Sequence, residues 1–420
     1  MHVPPLPAPL LIIVLLASLA ETLLSLWLSR RQIAHVRAHC EQVPADFAHA
    51  ITVEQHRRAA EYTVARERLA MVRQVWQWLV GAAWLLVGFD LLYGLLAAAT
   101  PPSLGRSVGF VLAYAAIGAL LALPFSLYGT FVVEQGFGFN RTTPALYARD
   151  RLRGWGIGLL LATPLLFVAF WLIARVAGLW WLYGWLGLVV LMLGAPAVYV
   201  RLIAPRFNRF TPLPEGELRQ GITALVRECG FRAAALFTMD ASRRSSHGNA
   251  YFIGFGRNKR IVLFDTLIDG SPIEEVRAIV AHELGHFRHG HILQGLLRSA
   301  VVLFVVLAGF GWLAHQPWLL PAFGIQHRDA ALSLVACLLC WSLVGPLASL
   351  LGNWISRRHE FQADAFARSR AGAGPMIAAL VRLSRDNAST LTPDPLYALY
   401  HYSHPPVPVR VARLRAEAAT

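Results

Sequence analysis

The chain has 420 residues, 56% of them hydrophobic and only 15% charged, with a mean hydropathy of +0.49. A soluble chain carries about 25% charged residues, so this composition excludes an ordinary soluble enzyme and points to a membrane protein. The formal net charge of +14 fits arginine-rich cytoplasmic loops better than a nucleic-acid groove, and no nucleic-acid partner is expected.

A bilayer-crossing helix needs about 20 mostly apolar residues. Such runs centre on residues 9–28, 75–99, 108–133, 154–176, 179–202, 296–314 and 330–355, which predicts about seven spans by that length rule. The first lacks a charged leading region and is too long for the core of a signal peptide, so it reads as a retained helix. Glu21 and Asp90 fall inside spans. Charge facing lipid is costly, so both are expected to face the bundle interior, in structural or functional contacts. Four cysteines, Cys40, Cys229, Cys337 and Cys340, form no disulfide framework. Cys337 and Cys340 make a C-x-x-C inside an apolar run and read as small apolar helix residues, not a metal site.

The loops give direction. Arg30, Arg31, Arg37, Arg57, Arg58, Arg66, Arg68 and Arg73 follow the first span, and only Arg106 follows the second. Arg141, Arg149, Arg151 and Arg153 follow the third, and little but Arg175 joins the fourth to the fifth. Residues 206–288 and the tail after the seventh span are basic again. The positive-inside rule then puts the N-terminus outside and the C-terminus in the cytoplasm. Four regions follow: an N-terminal membrane region with about five transmembrane helices over 1–204, a cytoplasmic insert over 205–294, two further spans over 295–355, and a C-terminal segment over 356–420.

The insert ends in AHELGHFRHGH, Ala281 to His291. Ser271 at the N-cap, Pro272 at the first helical position and Glu274 three residues after the cap predict a capping box opening this helix. On a helix, His282 and His286 share one face and reach one ion together. Glu283 is too close in sequence to chelate beside His282, and can instead hold a water and take its proton, as in zinc proteases with two His ligands and a Glu base. Gly285 leaves room for a close backbone or substrate approach. A metzincin would need Gly at 289 and His at 292; His289 and Ile292 stand there, so that class is excluded. His291 is one residue out of register, and His289 reads as a solvated or outer group.

The third ligand is sought on another helix. In NWISRRHEFQADAFA, Glu360 is the expected ligand and Asp364 lies on the same face four residues on. Asp364 is placed to accept a hydrogen bond from the free ring nitrogen of His282 and so fix its tautomer. His404 and Arg410, in YSHPPVPVRVARL, are further candidates. Either could hydrogen-bond the tetrahedral intermediate, or Arg410 could tether Glu360 or Asp364. Residues 247–268 read as two strands joined at 254–260. This is either a plain hairpin or an edge that pairs with an extended peptide, with Asn249 and Ala250 near its start. One Zn²⁺ per chain is expected.

HELGH, SRRHEFQADAFA, GNAYFIGFG, FNRFTPLPEGEL and YSHPPVPVRVARL together resemble the type I CAAX prenyl proteases, seven-span membrane zinc metalloproteases distantly akin to bacterial heat-shock membrane proteases. VVEQGFGFNRTTPALYARD is similar to that family's loop after the third span, and the resemblance runs from about Val75 to Leu414. It implies a mainly α fold: helices enclosing a large water-filled chamber, closed by a zincin-like domain with a small β-hairpin or sheet. It implies His282, His286 and Glu360 as ligands, Glu283 as base, and Asn249, His404 and Arg410 near the site. It also implies cleavage of C-terminal tripeptides from prenylated proteins in eukaryotes. The chain departs in carrying Val409 where members often have Glu, and it closes on RAEAAT without an ER-retention signal. The Ala/Arg/Gly-heavy composition reads as bacterial, hence an inner-membrane location.

Three functions stay open: a CAAX-type endopeptidase, a general quality-control protease of membrane proteins, and a scaffold or transporter with structural zinc. The partners are a peptide or protein substrate, lipidated or not, and membrane lipid.

Overall fold

The computed structural model describes residues 9–418 apart from 177, 232–234 and 254–259. Among them six helices are long and apolar enough to cross a bilayer: Pro9–Ala38, Val53–Ala99, Leu104–Glu134, Pro144–Arg175, Trp180–Phe207 and His291–Ala314. Ala330–Ser342 and Gly345–Ala371 are apolar enough only together and are bent by 56° at their break, which makes a seventh span if the pair counts as one. The protein is an integral multi-pass membrane protein, mainly α, with six spans, or seven counting the bent pair, where about seven were expected. The seventh is not the single straight helix predicted over 330–355. Pro346 has no N–H to give the preceding turn, so it is tolerated in the first turn of the second piece and not in the interior of one continuous helix.

Hydropathy locates the bilayer rather than the helix ends. The second span begins at Val53, where Thr52 and Gln55 form a capping box, so Arg57, Arg58, Arg66, Arg68 and Arg73 lie on a helical extension rather than in a loop. This extension packs against the first helix. Inside the bundle Phe89, Tyr93, Phe110, Phe170, Phe323 and Cys337 form one apolar core, and all four cysteines are free. A cavity of about 800 Å³ lies between the first, second and seventh spans, and Glu21 lines it. Asp90 is half-buried, and its Oδ1 accepts the Gln326 backbone N–H at 3.3 Å.

The insert and the C-terminal segment share one core. Ile222, Leu225, Ile261, Leu263, Val276 and Leu284 from the insert pack with Met376, Leu380, Val411 and Leu414. Each such side chain contributes about 1.5–3 kcal/mol when fully buried. A four-stranded sheet forms part of this unit: β1 (Phe210–Pro212), β2 (Ala235–Met239), β3 (Ala250–Ile253) and β4 (Arg260–Phe264), in the order β1-β2-β4-β3. β3 pairs antiparallel with β4, Ala250 opposite Leu263, while β2 runs parallel to β4. The two expected strands are therefore β3 and β4, within a larger sheet. Their connection falls in 254–259, outside the described residues, and Asp265–Ile268 is helical rather than extended. β3 is an edge strand beside the helix Ile273–Arg288.

Candidate active site

Two helices build the site: Ile273–Arg288, here the histidine helix, and Gly345–Ala371, the glutamate helix. The histidine helix starts one residue later than expected, and its capping box does not form. Pro272 occupies the N-cap with extended backbone (ψ 149°), and its carbonyl accepts from the Glu275 and Val276 N–H groups. Glu274 pairs with Arg277 at 3.2 Å instead of turning back to a Ser271 cap. Glu275 anchors the helix to Arg382 at 2.6 Å.

Gly285 sets the spacing of the two helices. A Cβ placed there would stand 2.9 Å from Ala363 Cα and 3.1 Å from the Ala363 carbonyl oxygen. The close approach foreseen at this glycine is thus an approach of backbone to backbone. It brings Glu360 against the histidine pair.

His282 Nε2 lies 3.2 Å from His286 Nε2 and 3.5 Å from Glu360 Oε2, and His286 Nε2 lies 3.4 Å from Glu360 Oε1. Donors bound to zinc at about 2.0–2.2 Å in a tetrahedron stand roughly 3.3–3.6 Å apart; the two nitrogens and the Glu360 carboxylate, which faces one histidine with each oxygen, are spaced on that scale. Glu360 Oε2 is buried and makes no hydrogen bond among the described residues, so it keeps lone pairs for a metal. The residues fit the metal.

Outer contacts fix the donors. His282 Nδ1 donates to Asp364 Oδ1 at 2.9 Å, so the proton the ring gives up to a metal is the one on Nε2, whose lone pair then faces the other two donors. Burial pushes the His282 pKa down, but Asp364 and Glu360 outweigh it and raise it to about 9 in the metal-free protein. Arg410 is buried and holds Asp364 with both arms of its guanidinium, Nε to Oδ2 at 2.8 Å and Nη2 to Oδ1. Its Nη1 also stands 3.4 Å from Glu360 Oε2. Of the roles weighed for Arg410, this geometry is that of the tether, and it needs no acid at position 409.

Glu283 projects beside the triangle and makes no hydrogen bond among the described residues. Burial pushes its pKa up, against the pull of His282 and His286. His404 places Nε2 3.3 Å from Glu360 Oε1 while its side chain stays 65% exposed, open to substrate. Asn249 is exposed at the start of β3, its Oδ1 accepting the N–H of the buried Ala250 at 2.8 Å. His289 is exposed, and His291 is buried against His286. The Arg410–Asp364 clamp was open in the sequence only as an option. Gln362, against His291, was missed, because no spacing rule links residues of separate helices.

Two family models cover most of the chain. The N-terminal domain of CAAX prenyl proteases, with five membrane helices, matches residues 32–209, and peptidase family M48 matches residues 212–418. An Arabidopsis thaliana protein named CAAX prenyl protease 1 homolog is 34% identical over 386 residues, spanning 89% of this chain and 90% of the relative. The chain belongs to peptidase family M48. A human CAAX prenyl protease 1 homolog is 32% identical, spanning 74% of each chain. The crystal structure of S. mikatae Ste24p superposes with a TM-score of 0.88 at 28% identity, covering 97% of this chain and 99% of that one. This M48 protein is a membrane metalloendopeptidase of the CAAX protease type, and the family are zinc enzymes.

Proposed function

We propose that His282, His286 and Glu360 hold one zinc ion and that Glu283 is the general base of peptide-bond hydrolysis. The observation that carries this reading is the His282–His286–Glu360 group with a neighbouring carboxylate, Glu283, that has no hydrogen-bond partner among the described residues. A closed structural site would use a fourth protein ligand. Zinc, when bound, lowers the pKa of water toward about 7 and polarises the scissile carbonyl. Glu283 takes the proton of the attacking water and passes it to the leaving amine. Burial raises its pKa above the ordinary carboxylate value, the direction that strengthens it as a proton acceptor. His404 reaches the substrate carbonyl from the open side. Arg410 acts behind the ligands by holding Asp364 in place. The free edge of β3, with Asn249 and Ala250 at its start, pairs with an extended substrate beside the histidine helix.

For the substrate, the relatives named CAAX prenyl protease 1 homolog support a lipidated C-terminal tail. A second reading, a general endopeptidase of membrane proteins without lipid specificity, is favoured by the polar groups on the intramembrane cavity, Glu21, Gln74, Gln77 and Asn353 among them. The arginine distribution supports a cytoplasmic active site with the N-terminus outside, and the composition supports a bacterial inner membrane. Purified protein offered farnesylated and unmodified CAAX peptides and an unfolded protein, with products identified by mass spectrometry, tests these readings. Cleavage of the farnesylated peptide alone supports lipid recognition, and cleavage of all three supports the general protease. No cleavage by zinc-loaded protein would favour a scaffold.

A further inference from the structure

His286 has a chain of partners of its own. Its Nδ1 lies 3.0 Å from His291 Nδ1, and His291 Nε2 lies 2.8 Å from Gln362 Oε1. A hydrogen bond between two ring nitrogens needs a proton on one and a lone pair on the other. The Gln362 oxygen only accepts, so His291 Nε2–H donates to it. Neutral His291 then presents a lone pair at Nδ1, and His286 Nδ1–H donates into it. His286 Nε2 is left with its lone pair toward His282 and Glu360. A metal ligand at Nε2 needs that same tautomer, so the order of protons read from the Gln362 end agrees with the order read from the metal end.

The fold is built to hold this chain together. His291 is the first residue of the sixth span, reached through Gly290 at φ 68°, a left-handed backbone that side chains rarely adopt. That turn brings His291 back under the helix it has just left. His291 is 6% exposed, and the ring of His359 stacks on its ring at 3.9 Å and 6°. The glutamate helix thus serves both ligands from two faces. Glu360 and Asp364, four apart, address the metal triangle and His282. His359 and Gln362, three apart, cover and terminate His291.

Resting on the zinc reading above, we propose that His291 and Gln362 are positioning residues that fix the tautomer and ring orientation of His286 for metal binding. They are the neutral counterpart of the anionic Asp364 behind His282.

The test is zinc affinity of the metal-stripped protein, measured by competition with a chromophoric chelator, alongside thermal unfolding. In His291→Asn the side-chain oxygen takes the place of His291 Nδ1 and accepts the same proton, so zinc affinity stays within about threefold of wild type. In His291→Leu the acceptor is gone, and affinity falls about 10–100-fold, the usual range for such outer partners. Gln362→Met lowers affinity in the wild-type background and has no effect in His291→Asn, where the relay no longer passes through it. Gln362 is exposed, so this substitution leaves folding intact even if His291→Leu does not fold. Equal affinities for Asn and Leu at 291, or a Gln362→Met effect that persists in His291→Asn, overturn the relay. Wild type that binds no zinc overturns the zinc reading itself. Wild type that binds tightly with every variant unchanged overturns the relay alone.

Discussion

Replacing Gly285 by alanine tests how the metal triangle is built without touching any of its members. The added Cβ would meet Ala363 Cα at 2.9 Å, the Ala363 carbonyl oxygen at 3.1 Å and Phe366 Cβ at 3.1 Å. Ordinary contacts between such atoms are about 3.5–4.0 Å, so relief requires a separation of roughly half an ångström or more. Two of the three obstacles are backbone, so no rotamer change gives that relief and the helices must part. Glu360 sits one turn from Ala363 on the helix that moves. Metal sites tolerate only about 0.2 Å in ligand distance, so the shift takes Glu360 out of bonding range while the two histidines keep their spacing. Overpacking adds a cost of about 1–3 kcal/mol. The assay is zinc per chain by elemental analysis after dialysis against a weak chelator, with thermal unfolding beside it. Gly285→Ala should lose most of its zinc and unfold earlier, and Gly285→Ser should behave alike. Full zinc retention at wild-type affinity would refute the argument that this glycine sets the ligand spacing.

Other perturbations follow from the same geometry. Arg410→Met leaves Asp364 with one buried partner fewer, and losing one side of a buried ion pair costs about 3–5 kcal/mol; a clear fall in melting temperature is expected, not restored by Arg410→Lys, which cannot grip both oxygens. Zinc must displace the proton from His282, whose pKa is about 9 without metal. Apparent zinc affinity should therefore rise about tenfold per pH unit through neutral pH and level off above pH ~9, and a flat profile between pH 7 and 8.5 would contradict the Asp364–His282 contact. The sign reverses for the metal-free fold: a raised histidine pKa stabilises fully below the unfolded value of about 6.5 and is lost as pH climbs through about 9, so the metal-free melting temperature should fall across that window. Adding zinc back at 100 times its dissociation constant should raise stability by about 2.7 kcal/mol, visible as a zinc-dependent melting temperature.

The spans were legible because a bilayer imposes one length and one polarity on every helix that crosses it. Their ends were not, since the helix starting at Val53 continues through polar sequence that hydropathy discards. The G-P dipeptide at Gly345–Pro346 was in plain view, yet its apolar surroundings hid the bend. His282, Glu283 and His286 were readable because their chemistry lies within one helical turn and a half. Glu360 and Asp364 were singled out by the demand for a third donor and by i,i+4 spacing, and the fold places both against the histidine pair. The contacts settled only in three dimensions join distant segments: Arg410 to Asp364, and His286 through His291 to Gln362. The predicted capping box failed because Ser-Pro-x-Glu spacing does not say which residue of the pair starts the helix, and here Pro272 does not enter it. β1 and β2, three and five residues long, carry too short a pattern to stand out.

Under the proposed function, Glu283 does chemistry beside a metal it does not bind. Glu283→Gln keeps the shape and removes the base, so zinc content and cleavage of a peptide substrate should be measured together on this variant and on wild type. The account predicts one zinc per chain in both and a loss of turnover of at least about 100-fold in the variant, the low end for a general base. A variant that keeps its zinc and still cleaves at the wild-type rate would contradict it.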